Sequence, residues 1–157
     1  MHIPEPYFTE IDPTILSDQT IILDIDGTLG YDGATVIDHA TRTMVARLAQ
    51  RNKVYLLSNK PLPDRNKAFA ELLAVPYLHS PYKKPHAKIV ESLAEQERGN
   101  IVVIGDKYIT DGLFAKRIHA RFIKVRRIRA KNEGLKAKAA YAIDNIVYSV
   151  LHFLHVL

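Results

Sequence analysis

Apolar residues come along this chain in short runs, separated by stretches in which they recur at helical spacing. Residues 20–25, 53–57, 101–104 and 122–125 are runs rich in Ile, Val and Leu, and 76–79 reads as a further short strand. Ile101-Val102-Val103-Ile104 is β-branched throughout. Runs that do not alternate polar with apolar predict strands covered on both faces. Between them, residues 38–50, 63–73, 85–96 and 110–118 read as helices, and 135–157 reads as a long closing helix. In the first of these, Ala40, Met44, Val45 and Leu48 share one face, and Asp38 is placed to cap it. Phe69, Leu72 and Leu73 share a face of the second, and Pro85 suits the first turn of the third. Residues 1–19, with Pro4, Pro6 and Pro13, read as an irregular segment.

Strands that alternate with helices predict an α/β fold. The expected architecture is a doubly wound, Rossmann-like three-layer α/β/α sandwich with a mainly parallel five-stranded sheet. No internal repeat or Gly/Ser/Pro-rich linker divides the chain, so residues 1–157 read as one domain. A length of 157 residues fits that reading. Hydrophobic residues at 47% and charged ones at 25% exclude a disordered or collagen-like chain. The absence of cysteine excludes a disulfide scaffold, a thiolate zinc site and a cysteine nucleophile. A net charge of +5 favours phosphates, nucleic acid or anionic lipid as partners. The N-terminus lacks the pattern of a signal peptide, and no run is long enough to cross a bilayer. A cytoplasmic protein, peripheral on a membrane at most, is the expectation.

In an open parallel sheet, ligands bind beyond the carboxyl ends of the strands. The first strand runs out into Asp24-Ile25-Asp26-Gly27-Thr28, and the second into Ser58-Asn59. Lys83-Lys84-Pro85 precedes the third helix, and the fourth strand runs into Gly105-Asp106, with Thr110-Asp111 following. Acids, a lysine and hydroxyls thus converge on one edge. Carboxylates at Asp24, Asp26 and Asp106 make a hard, oxygen-rich set suited to magnesium. One such carboxylate can attack phosphorus, and a second can protonate the leaving oxygen and then activate water. A hydroxyl and a lysine would stabilise the phosphoryl group.

These residues, in this order, resemble the haloacid dehalogenase-like (HAD) phosphatases. The match is Asp24-Ile25-Asp26-Gly27-Thr28-Leu29, Ser58, Lys84-Pro85, and Gly105-Asp106 through Thr110-Asp111. The resemblance implies Asp24 as nucleophile and Asp26 as general acid/base. It implies Ser58, Asn59, Lys84 and Thr28 around the phosphate. One Mg2+ would be held by Asp24, the Asp26 carbonyl and Asp106, with Asp111, Gly27 and Gly105 in support. Ser58-Asn59, Lys84-Pro85 and Gly105-Asp106-Lys107 are similar to the phosphatidylglycerophosphate phosphatase branch. That branch usually has Gln where Lys107 stands and often Asn where Gly27 stands. Residues 114–117 also depart from its pattern.

Neither the gap from Leu29 to Ser58 nor that from Asn59 to Lys84 has room for a cap domain, so an open, capless site is expected. Tyr31, Asp32 and Lys60 would rim it, with Lys60 and Arg65 either solvated or reaching for a second phosphate. From Lys116 to Lys138 there are ten Lys or Arg and one acid, Glu133. This stretch reads as a solvated edge, an attraction to anionic membrane, or a nucleic-acid contact. The apolar positions of the closing helix read first as core. A partner subunit, including a second copy of the chain, or lipid is the alternative. The functional expectation is a magnesium-dependent phosphomonoesterase with an aspartyl-phosphate intermediate, acting on phosphatidylglycerophosphate or another large phosphorylated substrate. The alternatives are a phosphatase for sugar phosphates, nucleotides or nucleic-acid ends, and a non-catalytic binding protein on the same fold.

Overall fold

A computed structural model describes residues 5–154. Four strands form the sheet: β1 (Thr20–Asp24), β2 (Lys53–Leu57), β3 (Ile101–Gly105) and β4 (Arg121–Lys124). They lie in the order β2-β1-β3-β4, and every pairing is parallel. The helices are α1 (His39–Ala49), α2 (Pro63–Leu73), α3 (Leu113–Arg117) and α4 (Leu135–Phe153). Strand side chains alternate between two cores. Ile21, Leu23, Val54, Leu56, Val102 and Ile104 face one, with α1, α2 and the N-terminal Phe8, Ile11 and Leu16. Ile22, Leu57, Ile101 and Val103 face the other, with Leu78, Ile89, Leu93 and Phe114. Because both faces are covered, nothing selects polar residues in β1 or β3, and both strands are buried throughout.

The predicted fifth strand, 76–79, is a single parallel bridge between Leu56 and Tyr77. Pro76 has no N–H to donate and its carbonyl accepts from Leu56, so pairing stops after one rung. The predicted helix 85–96 is two 3-10 segments, Ala87–Ser92 and Glu95–Glu97. Its N–H groups reach back only three residues, as from Ile89 to His86, and the tighter winding still buries Ile89 and Leu93. The helix expected at 110–118 starts as a wide π turn, Tyr108–Gly112, before α3. The N-terminal segment holds two 3-10 turns, Phe8–Glu10 and Pro13–Ile15. Positions 155–157 of the predicted closing helix, with His155, lie outside the described residues.

The remaining elements form where local chemistry asks for them. Asp38 caps α1 by accepting the Thr41 N–H at 2.7 Å. Pro63 opens α2. After β1 the chain first adds β2 on one side and later β3 on the other. That reversal opens a crevice between the ends of β1 and β3, where Leu23 lies beside Ile104.

Candidate active site

Asp24 is the last residue of β1, and Asp106 follows the last residue of β3. The sheet therefore carries the two carboxylates to one point. Gly27 and Gly105 make room for the cluster. Gly27 has φ +88°, and a Cβ there would collide with the Asp106 carboxylate. A Cβ on Gly105 would collide with Asp111. The π turn swings Asp111 back toward the strand ends, where its carboxylate also accepts the Lys107 N–H at 3.2 Å.

Lys84 bridges the cluster. Its Nζ lies 2.5 Å from Asp24 Oδ1 and 2.5 Å from Asp111 Oδ1, and its side chain is 2% exposed. Asn59 secures this lysine from behind: its amide donates to the Lys84 carbonyl and accepts the Lys84 N–H, both at 2.8 Å. The Lys84–Pro85 peptide is cis. Thr28 is fully buried and donates to Asp24 Oδ2 at 3.1 Å.

Asp26 lines the same cavity but has partners of its own. It accepts the Gly33 N–H at 2.9 Å and the Ser58 hydroxyl at 2.7 Å. Arg65 adds a bidentate pair, 2.7 Å to Oδ1 and 2.9 Å to Oδ2. Arg65 is held in turn by Asn66 Oδ1 and lies 5.4 Å from the Phe69 ring. Below it, Tyr77 donates to the Ser58 carbonyl and accepts from Asn66. Asp32 and Lys60 pair at 2.7 Å over the mouth. The cavity between these groups is about 100 Å³, which is room for about three waters at roughly 30 Å³ each. It suits a phosphoryl group and leaves the rest of a substrate outside.

Electrostatics divide the carboxylates. Burial, together with the charges of Asp111 and Asp26, pushes Asp24 up to about 6 against the pull of Lys84. Burial and the neighbouring Asp24 and Asp111 push Asp106 well above the usual carboxylate range. Burial also acts to raise Asp26, but Arg65, the Gly33 N–H and Ser58 outweigh it and bring it down to about 2. For Lys84, burial opposes the charged form, yet Asp111 and Asp24 prevail and hold it above the ordinary lysine value.

The donor set fits a small, hard cation. Oxygens of Asp24, Asp106 and Asp111 lie within 4.8 Å of one another, all on buried residues. Both Asp106 oxygens are buried without a hydrogen-bond partner, and the nearest cation, Arg127 Nε, is 3.9 Å away. Such a group is costly unless something else satisfies it.

The model of the mitochondrial PGP (phosphatidylglycerophosphate) phosphatase family matches residues 2–127. The chain belongs to that family. This PGP-phosphatase family member is thereby a HAD-like phosphatase and a phosphoric monoester hydrolase, not a non-catalytic binder on the same fold. No curated protein and no solved structure was found to match it. Among its described residues, no helix is long and apolar enough to cross a membrane.

The family member brings Asp24, Asp26, Ser58, Lys84, Asp106 and Thr110 to one cavity. Thr28 and Asn59 serve there as props for Asp24 and Lys84. Arg65 is the main residue that sequence reasoning placed elsewhere: it is half-buried and paired with Asp26 rather than set free at the rim. A signal was present, since Arg65 lies in the first turn of the helix that follows the Ser58 strand. Arg127 belongs to the basic stretch but is 5% exposed, close to Asp106 and ion-paired with Glu133. Asp144 has a bracing role that its local sequence does not announce. It accepts the N–H groups of Tyr108 and Ile109 at 2.9 and 2.7 Å, and Tyr141 donates to the Asp106 carbonyl at 3.1 Å. No local pattern could have paired residues so far apart.

Proposed function

We propose that this chain hydrolyses phosphatidylglycerophosphate with Mg2+ through an aspartyl-phosphate on Asp24. The observation that carries the reading is the buried carboxylate cluster at the ends of β1 and β3, with Lys84 inside it and the Asp106 oxygens unpaired. Asp24 and Asp106 would hold the cation, with the Asp26 carbonyl as the family resemblance implies and Asp111 beside them. When bound, the cation offsets the repulsion between these carboxylates and the phosphoryl oxygens.

The residues divide the work in two steps. Asp24 attacks phosphorus, forming the acyl-phosphate bond while the bond to the glycerol oxygen breaks. Asp26 gives that oxygen its proton. A water then attacks the phosphorus of the acyl phosphate, Asp26 takes the water's proton, and inorganic phosphate leaves as Asp24 is restored. Lys84 and Ser58 stabilise the charge on the transferring group. In the free protein Asp26 is ionised by its Arg65 pair, which suits the base role of the second step. For the first step, the phosphoryl group must draw Arg65 and Ser58 onto itself so that Asp26 can carry a proton. The small cavity and open mouth agree with a substrate whose bulk stays outside. The chain would work at a membrane surface. The family description says mitochondrial, which supports a mitochondrial site over the expected cytoplasmic one. It lends no support to a second copy of the chain or to nucleic acid as partner.

The test is a substrate panel with Mg2+, comparing wild type with Asp24→Asn. The expected outcome is release of phosphate from phosphatidylglycerophosphate by wild type alone. Turnover of sugar phosphates, nucleotides or 3′-phosphorylated oligonucleotides without turnover of the lipid overturns the substrate assignment. Equal turnover by both proteins overturns the mechanism.

A further inference from the structure

Helix α4 is packed on one side only, where Tyr141 and Asp144 are its buried residues. At about 100° per residue, Ile146 lies about 140° from Tyr141 and about 160° from Asp144. It therefore stands on the far side of the helix. Ile143, Val150 and Phe153 share that side, and Ile146 is 63% and Phe153 82% exposed. A continuous apolar strip of this kind on an exposed helix marks a docking surface.

Charge selects the occupant. Lys136 and Lys138 are exposed on either side of the strip at its N-terminal end, and exposed Arg129 and Lys131 come just before. The one acid on α4 is Asp144, which is buried against Tyr108 and Ile109. A second copy of the helix would bring no negative charge to these lysines, whereas an anionic bilayer would. The helix is not apolar enough to cross that bilayer, so it would lie in the interface plane.

We propose that α4 docks on an anionic lipid surface, with Ile143, Ile146, Val150 and Phe153 at the acyl boundary and Lys136 and Lys138 among the lipid phosphates. The inference deepens the reading of the substrate as a membrane phospholipid and rests on it for its purpose. The opposite side of the same helix braces the Asp106–Ile109 segment through Tyr141 and Asp144, so the docked helix would also set the site's position over the membrane.

The experiment is flotation of the full chain with vesicles of phosphatidylcholine alone or with added phosphatidylglycerol, neither containing phosphatidylglycerophosphate. Wild type is expected to float with the anionic vesicles only. Ile146→Glu with Val150→Glu, and separately Lys136→Glu with Lys138→Glu, are each expected to lower the bound fraction about tenfold or more. Hydrolysis of a soluble aryl phosphate should stay unchanged in both, which shows that they fold. Failure of wild type to float, equal flotation with neutral vesicles, or unchanged flotation of the Ile146/Val150 variant overturns the proposal. A wild-type dimer that this variant converts to monomer, without vesicle binding in either, assigns the strip to a second copy instead. Because the vesicles lack the substrate, flotation without lipid turnover would leave docking standing while the substrate reading falls.

Discussion

Two regions of this molecule reverse the usual sorting of residues, in opposite directions. At the ends of β1 and β3, three carboxylates and a lysine are buried together. Along the outer side of α4, large apolar side chains face solvent. Between them, β1 and β3 sort in the ordinary way, with apolar side chains buried on both faces. A buried ionised group costs several kcal/mol unless it is paired, and exposed apolar area forgoes about 25 cal/mol per Å². Folding alone selects neither arrangement. The first is understood if the cluster meets a cation and a phosphoryl group, the second if the helix meets lipid.

The comparison breaks most sharply at the chemistry. Asp24→Asn should lower phosphate release by about 10³-fold or more, while Ile146→Glu with Val150→Glu leaves hydrolysis of a soluble aryl phosphate intact. Comparable losses in the two proteins would mean that α4 belongs to the catalytic apparatus. The next effect is on stability. Mg2+ at about 100 times its dissociation constant should stabilise wild type by about 2.7 kcal/mol, read as a rise in Tm. Asp106→Asn should abolish that rise, and an unchanged rise would place the cation elsewhere.

The charged region also has a pH signature that the apolar one lacks. Asp24 ionises near 6 in the fold, against 3.8 for an ordinary aspartate. Between those values the folded state keeps a proton that the unfolded state has lost. Stability without metal should therefore fall as pH rises from about 4 to about 6, by on the order of 2 kcal/mol. Asp106 shifts in the same direction. Asp26 acts oppositely: its pKa is lowered to about 2, so its contribution is present above about 4 and lost as pH falls toward 2. Denaturant titrations with a chelator should show the fall above pH 4, and saturating Mg2+ should flatten it. A flat chelated profile would mean that Asp24 is not held as described. The smallest contrast lies within α4. Asp144→Asn should cost about 1–3 kcal/mol by weakening the acceptor for two buried-side N–H groups, and Ile146→Ser less than about 0.5 kcal/mol. Equal costs would mean that the strip is already covered in solution.

Where a strand or helix follows from its own residues, the chain announces it. Residues 53–57 and 63–73 form the elements their patterns imply, and Asp38 caps α1 as its side chain suggests. Where neighbours decide, the pattern misleads. Tyr77 and Leu78 are apolar enough for a strand, but Pro76 leaves a single bridge. Residues 87–92 and 95–97 wind as 3-10 segments, although Ile89 and Leu93, both buried, stand four residues apart as one face of an α-helix would place them. The closing helix looks like core by composition, yet it lies beside the sheet's edge and buries only Tyr141 and Asp144.

The site divides along the same line. Asp24, Asp26, Ser58, Asp106 and Asp111 were legible because a parallel sheet delivers strand ends to one edge, so their order in the chain predicts their meeting in space; the choice of Lys84 over Lys83 came from the family resemblance. Which carboxylate faces which partner was not legible. Asp24 and Asp26 stand two residues apart, yet one joins Lys84 and the other Arg65. That division depends on α2 and the Lys84 loop arriving from opposite sides of the crevice. Likewise, residues 135–153 determine a helix and its apolar strip by themselves, since helical periodicity is local. Only the tertiary structure decided which side of that helix is buried, because the choice rests on Tyr108, Ile109 and the Asp106 carbonyl, groups far away in the chain that the fold alone brings beside it.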